Sequence, residues 1–264
     1  MPNYYVERVG SMLELARTHA IVKNGGRVLE LGTGWLHWEA MTLCQFFNVE
    51  SVLFDVWDNR QLSGLKNYLG QLRAKLTGEF SGVSEDAVAR ARDRIDVALR
   101  VESFDELYER FGFQYVNDSS GSLARFSNES FDLVVSGGVL EHVQRDAAAP
   151  MIRDTYRLLK PGGWGLHSIN IGDHLAQYDR RISPKFYLCV PEWIYLGLLQ
   201  NEVQYINRLQ KGEWMNLFRA SGFGVVVENG ALADITGLNV AKRFQNMSQT
   251  DLQCTLLRVL LRKI

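Results

Sequence analysis

The sequence has few cysteines, and they are widely separated. Cys44, Cys189 and Cys254 form no CxxC pair, and no cluster of histidines lies near them. An odd number of thiols at this spacing excludes a disulfide framework and a structural zinc site. The three cysteines are therefore predicted to be reduced thiols in or near the core.

An excess of charge of one sign and long apolar runs are also missing. The 29 Lys and Arg residues nearly balance the 30 Asp and Glu residues, which leaves a formal net charge of -1. This balance argues against the broad basic surface of a DNA- or RNA-binding protein. No stretch reaches the roughly 18 apolar residues of a membrane span, and the first residues lack the pattern of a signal peptide. We expect a cytoplasmic enzyme or binding protein without a membrane span.

Short apolar runs alternate with helical patterns along most of the chain. A helical spacing of apolar residues from Tyr4 to Val22 predicts a leading helix, and Lys160–Gly163 predicts a sharp turn. The alternation predicts an α/β fold, with a seven-stranded, mostly parallel, Rossmann-like sheet and helices on both faces. The first predicted strand begins at residue 27. The six later strands are predicted at residues 51–56, 113–116, 131–136, 163–170, 223–228 and 255–262.

Two long segments interrupt this alternation. Residues 60–111 and 173–210 carry helical patterns without a convincing strand, so we interpret residues 1–264 as one domain with two helical inserts. The mixed charges within residues 85–101 favour a solvated helix face over a binding surface. The aromatic residues of the second insert indicate either a cap over a substrate or that insert's own small core.

A glycine-containing loop follows the first predicted strand. Gly32 and Gly34 would let backbone N–H groups approach a ligand, although a plain tight turn would look the same. Asp55 lies at the end of the second strand, where a carboxylate accepts hydrogen bonds from ribose hydroxyls, and Asp58 is the second choice. The dinucleotide fingerprint requires a glycine where this chain has His37, which disfavours a nicotinamide or flavin cofactor.

Four segments together resemble the class I S-adenosylmethionine-dependent methyltransferases. Residues 28–34 (VLELGTG) resemble the first motif of that family, and residues 130–143 (SFDLVVSGGVLEHV) resemble its fourth-strand signature. Residues 158–163 (LLKPGG) resemble the turn before the fifth strand, and residues 217–223 (LFRASGF) the helix before the sixth. The order of these motifs over most of the chain implies an enzyme that uses S-adenosylmethionine as its cofactor.

The resemblance also implies roles for individual residues. Glu30, Gly32 and Gly34 would shape the pocket for the methionine part, Asp55 would hold the ribose, and Asp118 would contact the adenine amino group. Ser136, with Gly137 and Gly138, would lie where the methyl group meets the acceptor. The remaining residues implied in the cofactor site are Thr33, Trp35, Val56 and Ser119.

The chain departs from related patterns at three positions. Leu36 occupies the place of a third glycine, so the end of the glycine loop must be shaped differently. Gly138 replaces the first glutamate of the ExxEH pattern with which some quinone-ring O-methyltransferases bind a metal, so no metal site is predicted. Ser136–Val139 replaces the Asn/Asp-Pro-Pro-aromatic run that acts on nucleic-acid bases, which argues against a nucleic-acid acceptor.

Two histidines are candidates for a general base. His174, oriented by Asp173, would lie in the loop after the fifth strand, whereas His142 follows the fourth strand and could instead have a structural role. His167 is predicted to be a core histidine. Arg180, Arg181 and Lys185 indicate either a solvated loop or a site for a phosphate or carboxylate on the acceptor.

The function predicted from these residues is O-methylation of a small-molecule hydroxyl, in a sugar, a glycan or a natural-product intermediate. Residues 173–184 and 205–209 resemble a bacterial subgroup of methyltransferases associated with such pathways. Two alternatives remain open: N-methylation of a small molecule, and binding of S-adenosylmethionine without catalysis. No oligomeric state is predicted.

Overall fold

A computed structural model describes residues 4–76, 83–199 and 205–264. The seven strands in these residues form one sheet in the order β3-β2-β1-β4-β5-β7-β6 when numbered along the chain. The predicted number of strands and the α/β class are therefore confirmed. The strands are β1 (Gly26–Leu31), β2 (Val49–Asp55), β3 (Phe113–Asn117), β4 (Phe131–Gly137), β5 (Leu159–Asn170), β6 (Phe223–Leu232) and β7 (Cys254–Lys263).

Helices connect most of the strands. The second insert contains a 3-10 turn at Phe186–Cys189 and a π-helical turn at Tyr195–Leu199, and two further 3-10 turns lie outside it, at Leu140–His142 and Lys242–Phe244. The α-helices are α1 (Tyr4–His19), α2 (Trp38–Phe46), α3 (Leu62–Lys75), α4 (Glu85–Arg100), α5 (Phe104–Phe111), α6 (Arg145–Leu158), α7 (Leu175–Tyr178), α8 (Glu192–Ile194), α9 (Lys211–Ala220) and α10 (Gln249–Gln253).

The middle of the sheet is parallel and apolar on both faces. β1 pairs in parallel with β2 and β4, and β2 pairs in parallel with β3. Leu29, Leu53 and Val134 are fully buried, as expected for strands covered on both sides. β6 runs antiparallel to β7 at the other edge. The order of the strands reverses at β1, so a ligand site is expected outside the carboxyl ends of the strands there.

Two predicted boundaries were wrong. β5 begins at Leu159, directly after α6, so Lys160–Gly163 belongs to the strand instead of forming a separate turn. Gly162 still has a φ of 72°, which supplies a local bend inside the strand. α1 ends at His19, earlier than predicted, because Ala20 has a left-handed φ of 50°.

The chain divides into two compact units. The first unit comprises Met1–Ser136 with Leu158–Trp164. Within it, the helices of the first insert bury apolar side chains such as Tyr68, Leu72 and Ile95. The charged face of α4 lies on the other side of that helix, where Asp96 pairs with Arg73. The described part of the first insert contains the helices α3, α4 and α5.

The second unit comprises Gly137–Arg157 with Gly165–Ile264. It contains a separate apolar cluster that includes Tyr187, Tyr195 and Phe244. In contrast, Tyr178 and Trp193 are 79% and 73% exposed. The aromatic residues of the second insert therefore divide between a small core and the surface.

Within residues 4–76, 83–199 and 205–264, no helix combines the length and the apolar character that a membrane crossing requires.

Candidate functional site

The loop after β1 is held by hydrogen bonds to the end of β2. Gly32 and Gly34 have left-handed φ values of 63° and 56°. The N–H groups of Gly32 and Thr33 both donate to the carbonyl of Phe54, at 2.8 and 3.2 Å. The N–H of Gly34 donates to Oδ2 of Asp55 at 2.6 Å. Because glycine adopts left-handed φ without strain, the two glycines permit this tight path.

Asp55 connects the loops that follow three neighbouring strands. Its side chain is buried, and its Oδ1 accepts the N–H of Trp57 at 3.2 Å in addition to the bond from Gly34. Its carbonyl accepts the N–H of Asp118 at 3.0 Å. Each carboxylate oxygen carries two lone pairs, so this side chain can still accept hydrogen bonds from a ligand.

Asp58, the alternative candidate for the ribose, is occupied differently. Arg60 donates two bonds of 2.7 Å to the two carboxylate oxygens of Asp58. Hydrogen bonding to Arg60 lowers the pKa of Asp58 to about 2. Asp58 is therefore a surface partner of Arg60, which leaves Asp55 as the better candidate.

Glu30 lies in β1, and its buried side chain contacts the first turn of α2. Its Oε2 accepts the N–H of Ala40 at 2.9 Å, and its Oε1 accepts the N–H of Glu39 at 3.3 Å. Burial raises the pKa of Glu30 to about 8. Glu30 thus satisfies two of the unpaired N–H groups in the first turn of α2, so its direct partners are backbone atoms.

His37 stands where the dinucleotide fingerprint has a glycine, and its backbone adopts the left-handed conformation that glycine favours. Its φ is 47° and its ψ is 52°, which is left-handed. The ring is buried between Thr33, whose Oγ1 is 2.7 Å from Nδ1, and Tyr108, whose hydroxyl is 2.8 Å from Nε2. Burial lowers the pKa of His37 to about 3, so the ring is neutral at physiological pH.

Arg60, in the first insert, extends the hydrogen bonds of His37 and Tyr108 into a network. The guanidinium carbon of Arg60 lies 4.1 Å from the centre of the Tyr115 ring, and its Nη1 donates to the hydroxyl of Tyr108 at 3.3 Å. The chain from Thr33 through His37, Tyr108 and Arg60 therefore connects the glycine loop to α5. Sequence reasoning missed this network, although the unusual His37 was a signal for it.

The other predicted cofactor residues lie at the ends of neighbouring strands. Ser136 is buried at the end of β4, whereas Trp35 is 57% exposed in the glycine loop. Oδ1 of Asp118 accepts the N–H and the hydroxyl of Ser120, at 3.0 and 2.7 Å. Val56 directly follows β2 and Ser119 directly follows Asp118, and both are exposed.

In the second unit, Glu141, His142 and His174 form a cluster. One possible ligand atom of each residue lies within 4.8 Å of the other two. The rings of His142 and His174 are 5.2 Å apart. Nε2 of His174 is buried and has no hydrogen-bond partner among the described residues. Burial, followed by the nearby His142, lowers the pKa of His174 to about 4.

Asn207 holds the turn that carries this cluster. Its Nδ2 donates to the carbonyls of Leu140 and Val143, at 2.8 and 3.0 Å. Its N–H donates to the carbonyl of Glu141 at 2.8 Å. Residues 205–209 therefore fix the position of the turn, a role that sequence reasoning did not assign to them.

Comparison with protein families gives one match. Residues 82–166 match a family described as "Methyltransferase domain". This range includes β3, β4, α6 and the glycine-containing start of β5. A search of curated proteins finds no match.

Solved structures share the fold. A SAM-dependent methyltransferase from Methanosarcina mazei is 14% identical, with a TM-score of 0.52, and the match covers 94% of this chain and 97% of that chain. A methyltransferase from Mesorhizobium loti is 16% identical, with a TM-score of 0.50 and coverages of 96% and 99%. The match to the 1,6-didemethyltoxoflavin-N1-methyltransferase of Burkholderia thailandensis has 14% identity, a TM-score of 0.52 and coverages of 98% and 78%.

The family match and the strand order decide the assignment. Residues 82–166 match a methyltransferase domain, and the whole chain shares the fold of solved S-adenosylmethionine-dependent methyltransferases. The family match, and a fold neighbour solved with S-adenosylhomocysteine, support S-adenosylmethionine as the cofactor. The predictions of the superfamily, of an enzyme and of this cofactor are thereby confirmed.

The predicted orientation of His174 by Asp173 was wrong. Both carboxylate oxygens of Asp173 in this methyltransferase accept backbone N–H groups, from Leu175 at 2.9 Å and from Tyr187 at 2.8 Å. Asp173 therefore stabilises the loop around His174, and the neighbouring ring is that of His142. His167 lies in the core, stacked on Phe218, as expected.

Arg180, Arg181 and Lys185 were predicted to form a solvated loop or a site for a phosphate or carboxylate on the acceptor. For Lys185 this prediction was also wrong. This side chain is completely buried, and its Nζ lies within 3.1 Å of the oxygens of Ile171, Tyr187, Gln210 and Cys254. Burial lowers the pKa of Lys185 to about 7. Arg180 and Arg181 are exposed, and Arg181 pairs with Asp179. Lys185 therefore cannot bind an acceptor at the surface.

Proposed function

We propose that this methyltransferase acts on a hydroxyl group of a small molecule such as a sugar or a natural-product intermediate. The observation that carries the proposal is the pair of histidines in the second unit, with Nε2 of His174 buried and without a partner among the described residues. A hydroxyl must lose its proton during methylation, whereas a neutral amine can attack before losing one. A neutral imidazole beside the acceptor is suited to this task.

The residues of the first unit fit the proposed cofactor site. Asp55 offers a carboxylate at the end of β2 to the ribose, and the Gly34 loop bends around the methionine part, with Glu30 holding α2 behind it. Asp118 and Ser119 would face the adenine, and Thr33, Trp35, Val56 and Ser136 would complete the site. When bound, S-adenosylmethionine supplies a methyl group on a sulfonium and leaves as S-adenosylhomocysteine.

The protein's own contribution to the reaction is positioning and proton removal. The bound cofactor would supply the methyl group to the acceptor oxygen, and the carbon–sulfur bond would break as the carbon–oxygen bond forms. The proton of the hydroxyl passes to Nε2 of His174, which becomes an imidazolium and later releases the proton to water. His142, whose ring is 5.2 Å away, would orient the acceptor or share the proton.

The test compares His174→Ala with His142→Ala in two assays. Calorimetry measures the affinity for S-adenosylmethionine, and mass spectrometry measures methylation of a panel of sugars, phenols and amines. We expect His174→Ala to lower the turnover of a hydroxyl acceptor by about 10²- to 10⁴-fold, with nearly unchanged cofactor affinity. His142→Ala should cost less.

His167→Gln serves as the matched control, since His167 is a buried histidine of the same unit. Exclusive methylation of amines would replace the proposal with N-methylation. Cofactor binding without turnover of any acceptor in the panel would favour a binding protein. Normal turnover of a hydroxyl acceptor by both alanine variants would remove the histidine mechanism.

A further inference from the structure

We infer that Glu141, His142 and His174 together bind a divalent transition-metal ion of the zinc type. This site deepens the proposed function, because the ion would bind and activate the acceptor hydroxyl there. The sequence pattern argued against a metal, because Gly138 stands where the ExxEH pattern has its first glutamate. The third ligand proposed here comes instead from the loop after β5.

The distances allow one ion to be shared by the three side chains. Their ligand atoms lie within 4.8 Å of one another. Nitrogen and oxygen ligands that lie 2.0 to 2.1 Å from one tetrahedral ion are about 3.3 Å apart, so the cluster would need to close by at most about 1.5 Å. His142 is exposed, and a small rotation of its side chain can provide this movement.

The ring of His142 uses one of its two nitrogens in a hydrogen bond to the backbone. Its Nδ1 lies 2.7 Å from the carbonyl oxygen of Tyr205. A carbonyl oxygen can only accept, so Nδ1 donates in this hydrogen bond and Nε2 is the ring nitrogen that remains for an ion. A histidine that binds a metal typically donates its other N–H to such a carbonyl.

The other two ligands are held in place by the backbone. Oε1 of Glu141 accepts the N–H of Asn170 at 3.1 Å, and Asn207 fixes the turn on both sides of Glu141. Nε2 of His174 is buried and has no hydrogen-bond partner within the described part of the chain. A buried polar atom without a partner is costly, and a bound ion would remove that cost.

The donor set selects the class of ion. Two imidazoles and one carboxylate suit zinc and its first-row neighbours, whereas Mg²⁺ prefers oxygen ligands and retains its waters. Three protein ligands leave a tetrahedral ion one open position, as in catalytic zinc sites. A hydroxyl bound there would release its proton to solvent more readily, while the ion holds the resulting oxygen anion. The lone pair of His174 would then serve the ion instead of taking the proton.

The experiment uses the full chain and Zn²⁺ alone. After treatment with a chelator and dialysis, calorimetry should show one equivalent of Zn²⁺ bound, and Mg²⁺ in excess should not displace it. His174→Ala and Glu141→Gln should each weaken Zn²⁺ binding by at least about 100-fold, since changes in outer-shell partners alone cost 10- to 100-fold. His19→Ala, which changes a histidine of α1, should bind Zn²⁺ as the wild type does.

A second measurement does not depend on the folding of a variant. Zn²⁺ should raise the unfolding temperature of the wild-type protein, because a ligand that binds only the folded state stabilises it. Co²⁺ in place of Zn²⁺ should give the intense visible absorption of a four-coordinate site. An unchanged unfolding temperature, or equal Zn²⁺ affinity in wild type and His174→Ala, overturns the inference.

The two proposals can fail separately. Bound Zn²⁺ without methylation of any hydroxyl would leave the metal site standing and remove the proposed acceptor class. Methylation of a hydroxyl by a protein that binds no Zn²⁺, at a rate unaffected by a chelator, would remove the metal site and leave His174 as the base.

Discussion

The backbone N–H of Gly34 donates a hydrogen bond of 2.6 Å to the Oδ2 atom of Asp55, 21 residues further along the chain. This bond connects the glycine loop after β1 with the end of β2. The same residue accepts the N–H of Asp118 through its carbonyl. One residue thus sets the relative positions of three loops around the proposed cofactor site.

Replacement of Asp55 should therefore reduce cofactor affinity. A hydrogen bond to a charged group contributes about 1.5 to 3 kcal/mol, so Asp55→Ala should weaken S-adenosylmethionine binding by roughly 10- to 150-fold in calorimetry. Asp58→Ala is the matched control, because Asp58 is bonded to Arg60 at the surface. An equal loss of affinity in both variants would transfer the ribose role away from Asp55.

The left-handed backbone of His37 gives an unusual order of stabilities. His37→Gly removes the two side-chain hydrogen bonds but suits a φ of 47°. His37→Ala removes the same bonds and keeps the strained conformation, which costs roughly 1 to 2 kcal/mol. We expect both variants to have a lower free energy of unfolding than the wild type in urea. The glycine variant should be more stable than the alanine variant. The reverse order would mean that the loop changes its path.

The sequence was informative about the strands β1 and β2 and the loops that follow them, because its signals there are local. The VLELGTG segment and the position of Asp55 specify a loop whose shape depends on nearby backbone, and the structure has the predicted strands there. The partners of His37 could not be predicted, because Tyr108 lies 71 residues away in an insert. The prediction for Lys185 was wrong for a related reason. The charge of a lysine does not indicate whether distant segments of the chain supply buried hydrogen-bond acceptors for it.

The buried Glu30 predicts a particular dependence of stability on pH. Its pKa is raised by burial from 4.5 to about 8, so between these values the folded protein keeps a proton that the unfolded chain has released. This group therefore lowers stability as pH rises through that window, by about 1.4 kcal/mol per pH unit. Arg8 and Asp55 are the charged groups whose fields act on it.

Glu30→Gln isolates this effect, since glutamine has a similar shape and no proton to release. The difference in unfolding free energy between wild type and variant should change steadily from pH 5 to pH 8, in favour of the variant at the higher pH. Urea unfolding at four pH values measures it. Parallel profiles would show that Glu30 is ionised in the folded protein.

Lys185 and Arg181 should differ sharply in their contribution to stability. Lys185→Met leaves the oxygens of Gln210 and Cys254 without the Lys185 donor, while the hydroxyl of Tyr187 still donates to the carbonyl of Ile171. Unsatisfied buried groups cost about 1 to 3 kcal/mol each, so we expect a total loss of about 2 to 5 kcal/mol in thermal or urea unfolding. Arg181→Ala, at an exposed position, should change stability little. Similar small effects of both changes would show that the lysine pocket rearranges at low cost.

The last prediction concerns Asn207, which touches no proposed ligand atom but holds the turn that carries Glu141 and His142. Asn207→Ala removes the two side-chain bonds to Leu140 and Val143 and keeps the backbone bond to Glu141. If the turn must be rigid for its side chains to converge with His174, the variant should lose about 10- to 100-fold in Zn²⁺ affinity. Its affinity for S-adenosylmethionine should stay near that of the wild type, because the proposed cofactor site consists of residues of the first unit. Asn67→Ala, which changes an exposed asparagine of α3, controls for a general effect on folding. A purely structural role for Asn207 would instead lower stability and leave the Zn²⁺ affinity of the folded variant unchanged. The affinities for Zn²⁺ and for S-adenosylmethionine are therefore measured on the same preparation of the variant. A loss of Zn²⁺ affinity alone identifies Asn207 as a positioning residue.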